Sequence, residues 1–281
     1  MTETIVSELE PELGDAERSR SQRRPPESLD AWDLYQRGLW HYWRWTREDS
    51  AEAQRLLERT IEIDPGFSPA HAVLAMVHLV YVLFGWTDKP AEAVARAYEA
   101  AQQAVALDDK DPLAHFALGR VYTLQGQFEP AIAELRKSLE LNPNSARAHF
   151  GLGFALHWCG RAGEALVHCK HAIRQSPNDP LRWAFEDMVG SICLVLGEHE
   201  QAIEWCSRAC RHPTCSFWSH VNLAQAYSAL DRIDEARAEI DLALSKNPNL
   251  TISSAATMLR NLHPDYKEPY LAVLRTLGLP E

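Results

Sequence analysis

Apolar residues recur every three or four positions along most of this chain, and the pattern breaks at regular intervals. Between Pro112 and Pro143, Leu113, Phe116, Ala117 and Tyr122 follow helical spacing, and Ala131, Leu135 and Leu139 do so again after a break. Gly126 stands at the break, where a chain reversing between two helices favours positive φ. Pro143 cannot continue a helix, and Asn142 and Asn144 flank it as turn residues. The stretch therefore predicts a helix A, a turn and a helix B, with the small Ala131 letting the two approach closely. The following stretch, ARAHFGLGFALHWCGRAGEALVHCKHAIRQSP, repeats the design. Placing Gly119 on Gly153, 34 positions later, superposes His115 on His149, Leu118 on Leu152, Gly126 on Gly160, Ala131 on Ala165 and Pro143 on Pro177. One such hairpin leaves an apolar face open, so copies must stack to bury it.

This period and this Gly, Ala and Pro grammar resemble the tetratricopeptide repeat. Residues 219–248 match through Ala224, Tyr227, Ala236, Ala243 and Pro248, and residues 183–210 through Gly190, Gly197, Ala202 and Ala209. Residues 69–108 carry roughly nine additional positions around Trp86 and Pro90, and residues 31–65 hold Gly38 and Pro65. The resemblance implies an all-α, right-handed superhelical solenoid of about six repeats with a concave groove and an acidic convex back. The closing residues predict a helical pair whose last helix, about Tyr266 to Leu277, caps the apolar end.

Residues 1–27 fall outside the repeat, leaving 28–281 as the array with its cap. Ile5 to Leu13 predicts one amphipathic helix, able to pair between chains, followed by a charged, Pro-bearing linker. The phrases PPESLDAWDLYQRG and YLAVLRTLGLPE resemble the start and end of a repeat tail found in larger bacterial regulators. In those, the tail follows a class III adenylate cyclase or winged-helix head and a TolB-like domain. On that resemblance this chain is a tail without its head, and residues 1–13 are the remnant of an upstream domain. The cyclase domain's metal-binding aspartates have no counterpart here.

The net charge of −11 repels phosphate backbones and anionic membrane surfaces, so neither nucleic acid nor membrane is expected as a partner. The longest apolar run, Ala72 to Trp86, is too short to span a bilayer, and the acidic N-terminus does not read as a signal peptide. A cytoplasmic location with six reduced cysteines follows.

Candidate chemistry is sparse. His71, His115, His149 and His220 recur at one repeat position, but stacking separates equivalent positions by roughly 10 Å, too far for a shared ion. They read as packed imidazoles, each with a local hydrogen bond. Cys206, Cys210 and Cys215, with Cys193 and His212 near, raise zinc, yet no CxxC pair occurs. Cys169 and Cys206 fall at the packing position of Leu135, so the thiols read as buried filling. No GxGxxG, P-loop, HExxH or GxSxG motif is present, so no catalytic residue, metal or cofactor is assigned and the chain reads as non-enzymatic.

The repeat resemblance places function in the groove, on helix A. Carried over position by position, it implies Phe116 and Arg120 in one repeat, Arg147, Phe150, Phe154, His157 and Trp158 in the next, and Trp218 and Gln225 later. Trp32, Tyr35, Leu39, Tyr42 and Trp43 either line its N-terminal end or pack inside. Aromatic residues with a few Arg and His have the composition of binding hot spots. Chaperone-tail receptors of this family use Lys and Asn as a carboxylate clamp. Phe116, Arg120, Phe150 and Phe154 stand in those slots, which points to an apolar or amphipathic segment instead.

Overall fold

The computed structural model describes residues 31–281, and the helix expected at Ile5–Leu13, with the rest of residues 1–27, lies outside them. The described residues form fourteen α-helices and no strand. Six hairpins come first: α1 (Ala31–Tyr42) with α2 (Arg47–Ile63), α3 (Ser68–Leu83) with α4 (Pro90–Leu107), α5 (Pro112–Leu124) with α6 (Phe128–Leu141), α7 (Ala146–Trp158) with α8 (Ala162–Gln175), α9 (Arg182–Val195) with α10 (His199–Cys210), and α11 (Phe217–Ala229) with α12 (Ile233–Lys246). The short α13 (Ile252–Met258) and then α14 (Pro264–Thr276) close the chain.

Helix starts follow their capping residues. The Asp111 side chain accepts from the Leu113 amide at 2.8 Å, with Pro112 in the first turn. Ser216 caps α11 through the Trp218 amide, and Thr251 and Ser254 form a reciprocal capping box on α13. The A-to-B turns share one geometry. Gly126, Gly160 and Gly197 take φ of 75°, 91° and 77°. The residue after each donates its amide back to Tyr122, Leu156 and Cys193, which ties off the last helical carbonyls. In the sixth hairpin Asp231 takes that place with φ of 58°.

Each hairpin closes on small residues. Ala131, Ala165, Ala202 and Ala236 on the B helices are fully buried. Gly119 faces Leu135, Gly153 faces Cys169 and Gly190 faces Cys206, and all three partners are fully buried. A Cβ at any of these glycines would run into its partner. The two cysteines are the packing thiols the repeat register implies.

The chain divides into two compact units, one running to Gly151 and the other from Leu152 to Glu281. In the second, Leu271, Leu274, Leu277 and Leu279 join Val221, Ala224, Ile240 and Ala243 in one core, so the last helix seals α11 and α12. That cap covers the apolar end that an open array would otherwise leave exposed.

Candidate functional site

The expected groove residues sort by unit. In the first, the Arg147 guanidinium carbon lies 3.3 Å from the centre of the Trp43 ring, and that of Arg120 lies 5.7 Å from the Phe150 ring. Both are cation–π geometries. Arg120 and Phe116 are buried, at 6% and 9% exposure, while Arg147, Phe150 and Trp43 are half-buried. Burial pulls the Arg120 guanidinium down to about 10, so it stays charged at neutral pH. Gly151 keeps this face tight: a Cβ there would sit 3.0 Å from Leu135 and 3.1 Å from the Phe116 ring. Tyr35 and Tyr42 are buried, whereas Trp32 is 49% exposed, so the N-terminal aromatics divide between packing and surface.

In the second unit the expected residues meet the chain's own C-terminus. Phe154 and Trp158 stack at 4.9 Å and stay half-buried. His157 is 2% exposed; its Nε2 lies 3.3 Å from the Ser191 hydroxyl and its ring stacks on Tyr266 of α14 at 5.6 Å. With no opposite charge to offset desolvation, its pKa falls to about 4. The Trp158 carbonyl accepts from the His263 amide at 2.9 Å. Trp218 lies 6.3 Å from the Tyr270 ring, and the Gln225 amide donates to the Tyr270 carbonyl at 3.2 Å. The last helix therefore does more than the end cap the sequence predicts: it also covers His157, Trp218 and Gln225. Tyr266 and Tyr270 carry those contacts, and the sequence pattern gives no sign of them.

The histidine ladder behaves as packed imidazoles at three of its four rungs. Nε2 of His71, His115 and His149 lies 3.0, 2.9 and 3.1 Å from the carbonyl six residues earlier, at Pro65, Asp109 and Pro143. The fourth rung differs. His220 Nε2 faces the Cys215 sulfur at 3.8 Å, and its Nδ1 lies 2.7 Å from Glu239 Oε2. The Cys215 sulfur also lies 3.7 Å from the Cys210 carbonyl. Hydrogen bonding with Cys210 and His220 holds the Cys215 thiol down to about 4, and Cys215 and Glu239 lift His220 to about 9. One further feature escaped the sequence reading. The inserted residues around Trp86 form an open cleft with Gln54, His78, Tyr81 and Arg96.

Comparison with known proteins fits this geometry. A model of the TPR repeat matches residues 119–158, and a tetratricopeptide repeat model matches residues 218–241. The chain carries tetratricopeptide repeats. Among solved structures, the repeat array is similar to the Cut9–Hcn1 hetero-tetramer of APC/C, with a TM-score of 0.69 and 18% identity over 89% of this chain and 45% of that one. It is also similar to a tetratricopeptide repeat protein from Parabacteroides merdae, with a TM-score of 0.56 and 14% identity over 93% of this chain and 91% of that one. At these identities the likeness is one of fold.

Two curated relatives match in sequence. A Rhizobium meliloti protein provisionally named adenylate cyclase 3 is 32% identical over 118 residues, 42% of this chain and 20% of that protein. Anaphase-promoting complex subunit 3 of Schizosaccharomyces pombe is 21% identical over 216 residues, 77% of this chain and 30% of that protein. The repeat chain thus spans well under half the length of either relative.

Proposed function

We propose that this repeat protein is a non-enzymatic scaffold that binds an apolar or amphipathic segment of another protein along its A helices. Repeats of this kind serve generally as protein-interaction scaffolds, and the observation that carries the finer reading is the Arg147–Trp43 pair beside Phe150. Half-buried aromatic rings with guanidinium groups against them offer apolar area and directional charge together, the composition of interface hot spots. The first unit is the favoured binding face, because in the second α14 already lies on His157, Trp218 and Gln225. No described helix is long and apolar enough to cross a membrane.

The test is capture of partners from lysate by the wild-type chain and by an Arg147→Ala/Phe150→Ala variant matched in helical circular dichroism. Prey lost only with the folded variant supports this face. Equal recovery by both sinks it.

A second reading rests on the Rhizobium meliloti relative: the repeats act as the regulatory tail of a nucleotide cyclase or transcription regulator, beside a separate head. Its test adds the purified chain to a class III cyclase domain and follows cyclic AMP formation. A change in the domain's rate supports it, and turnover of ATP by the repeat chain alone overturns the non-enzymatic reading.

A further inference from the structure

We propose that Cys210, Cys215 and His220 form a zinc site, with Glu239 orienting the imidazole. The argument begins with a departure from the repeat. Three of the four ladder histidines spend Nε2 on the carbonyl six residues back. At His220 the incoming loop places the Cys215 sulfur there instead, 3.8 Å from Nε2. A tetrahedral zinc with Zn–S near 2.3 Å and Zn–N near 2.0 Å requires an S-to-N edge of about 3.6 Å. The pair already stands at nearly that separation.

The second thiol closes the set. Cys210 ends α10, and the Cys215 sulfur lies 3.7 Å from the Cys210 carbonyl across the short loop. Donor atoms of Cys210, His220 and Glu239 lie within 4.8 Å of one another. Both cysteines are free of disulfides, Cys215 buried and Cys210 half-buried.

The remaining groups suit a divalent, thiophilic ion. Glu239 Oε2 sits 2.7 Å from Nδ1, the carboxylate–histidine arrangement that fixes the tautomer and presents Nε2 to a metal. Two thiolates neutralise a 2+ charge, and Glu239 offsets Lys246, whose ammonium donates to the Cys215 carbonyl at 3.2 Å. Thiolate and imidazole donors select zinc over magnesium or calcium. A bound ion would tie the end of α10, the loop at 211–216 and α11 together, a staple at the joint between the fifth and sixth hairpins.

The test is cobalt titration of the reduced, metal-stripped full chain. The expected result is one equivalent per chain, with a thiolate-to-cobalt charge-transfer band and tetrahedral visible bands that zinc abolishes. Cys210→Ser/Cys215→Ser removes the bands, whereas Cys159→Ser leaves them unchanged. Glu239→Gln, which keeps all three ligands, weakens zinc binding about 10- to 100-fold. The proposal is overturned if the reduced chain gives no charge-transfer band. It is equally overturned if the band survives in Cys210→Ser/Cys215→Ser, or if Glu239→Gln binds as tightly as wild type.

Discussion

The Tyr270 hydroxyl donates to Asn222 Oδ1 at 2.6 Å, and the Asn222 amide passes the chain of bonds on to Asp187 at 3.0 Å. One hydroxyl on the last helix thereby reaches α11 and, through it, α9. Burial lifts the Asp187 carboxyl to about 6, so the network holds a carboxyl reluctant to ionise. Desolvation of its hydroxyl pushes the phenol of the half-buried Tyr270 well above the usual range and keeps it a donor.

Tyr270→Phe leaves the ring in place and strands the Asn222 oxygen. Loss of one partner in a buried pair costs about 1–3 kcal/mol. Tyr266→Phe removes a 2.7 Å bond to the Gly160 carbonyl in a more open setting, and its cost is about 1 kcal/mol. Urea denaturation of the two variants gives the order. A Tyr270→Phe midpoint equal to wild type would show that the network does not hold the last helix.

The glycine slots make a prediction with a built-in rescue. An added methyl at Gly153 would overlap the Cys169 sulfur, and at Gly190 the Cys206 sulfur. Gly153→Ala therefore loses about 1–3 kcal/mol through overpacking. Shrinking the partner makes room, so Gly153→Ala/Cys169→Ala recovers part of that loss, and the coupling in the double-mutant cycle is favourable. Additive losses would mean that the methyl meets the Ala165 carbonyl, 3.1 Å away, and not the sulfur.

Those slots explain how much of the fold was legible in the sequence. Glycine facing leucine or cysteine repeats at fixed spacing because each hairpin solves the same local packing problem, so one solved repeat reads out the others. The hairpins built on Gly119, Gly153 and Gly190 follow from that rule, and the sixth keeps a small residue, Ala224, in the same slot. The cover on the second unit does not: Tyr266 meets Gly160 across 106 positions, and no periodicity encodes a contact so remote. Groove positions carried over from the repeat register identify which residues lie on helix A, but not that α14 lies over His157 and Gln225. The Cys215–His220–Glu239 cluster was only half legible: its thiols raised zinc in the sequence, but the histidine and glutamate partners did not. Cys215 stands five positions before His220, but Glu239 joins from the following helix, nineteen positions on, where no short motif looks for it.

The turn of the sixth hairpin tests the same rule from its exception. Asp231 holds φ of 58°, where Gly85, Gly126, Gly160 and Gly197 serve four other hairpins. A left-handed backbone costs an L-residue roughly 1–2 kcal/mol, somewhat less for Asp, whose side chain tolerates it. Asp231→Ala is expected to lose about 1 kcal/mol, and Asp231→Gly to gain about 0.5 kcal/mol after the larger unfolded-state entropy of glycine is counted. Thermal melts of both variants check the sign. A stabilised Asp231→Ala would mean that the turn relaxes out of the left-handed region.

His157 gives the pH prediction. Desolvation lowers its pKa from 6.5 to about 4, so the folded chain holds it neutral while the unfolded chain protonates it more readily. Between those values the unfolded state binds more protons, and stability must rise with pH. The contribution is fully present above pH 6.5 and is lost as pH falls towards 4, by up to about 3 kcal/mol. Asp187, raised from 3.8 to about 6, works in the opposite direction across much of the same window, so the wild-type profile alone does not isolate the histidine. His157→Gln keeps a polar group for Ser191 but has no titrating ring. Stabilities of the two proteins measured by urea denaturation from pH 7 to pH 4 are expected to converge, the wild type falling further. Parallel profiles would place the imidazole in contact with water and remove the basis for its shift.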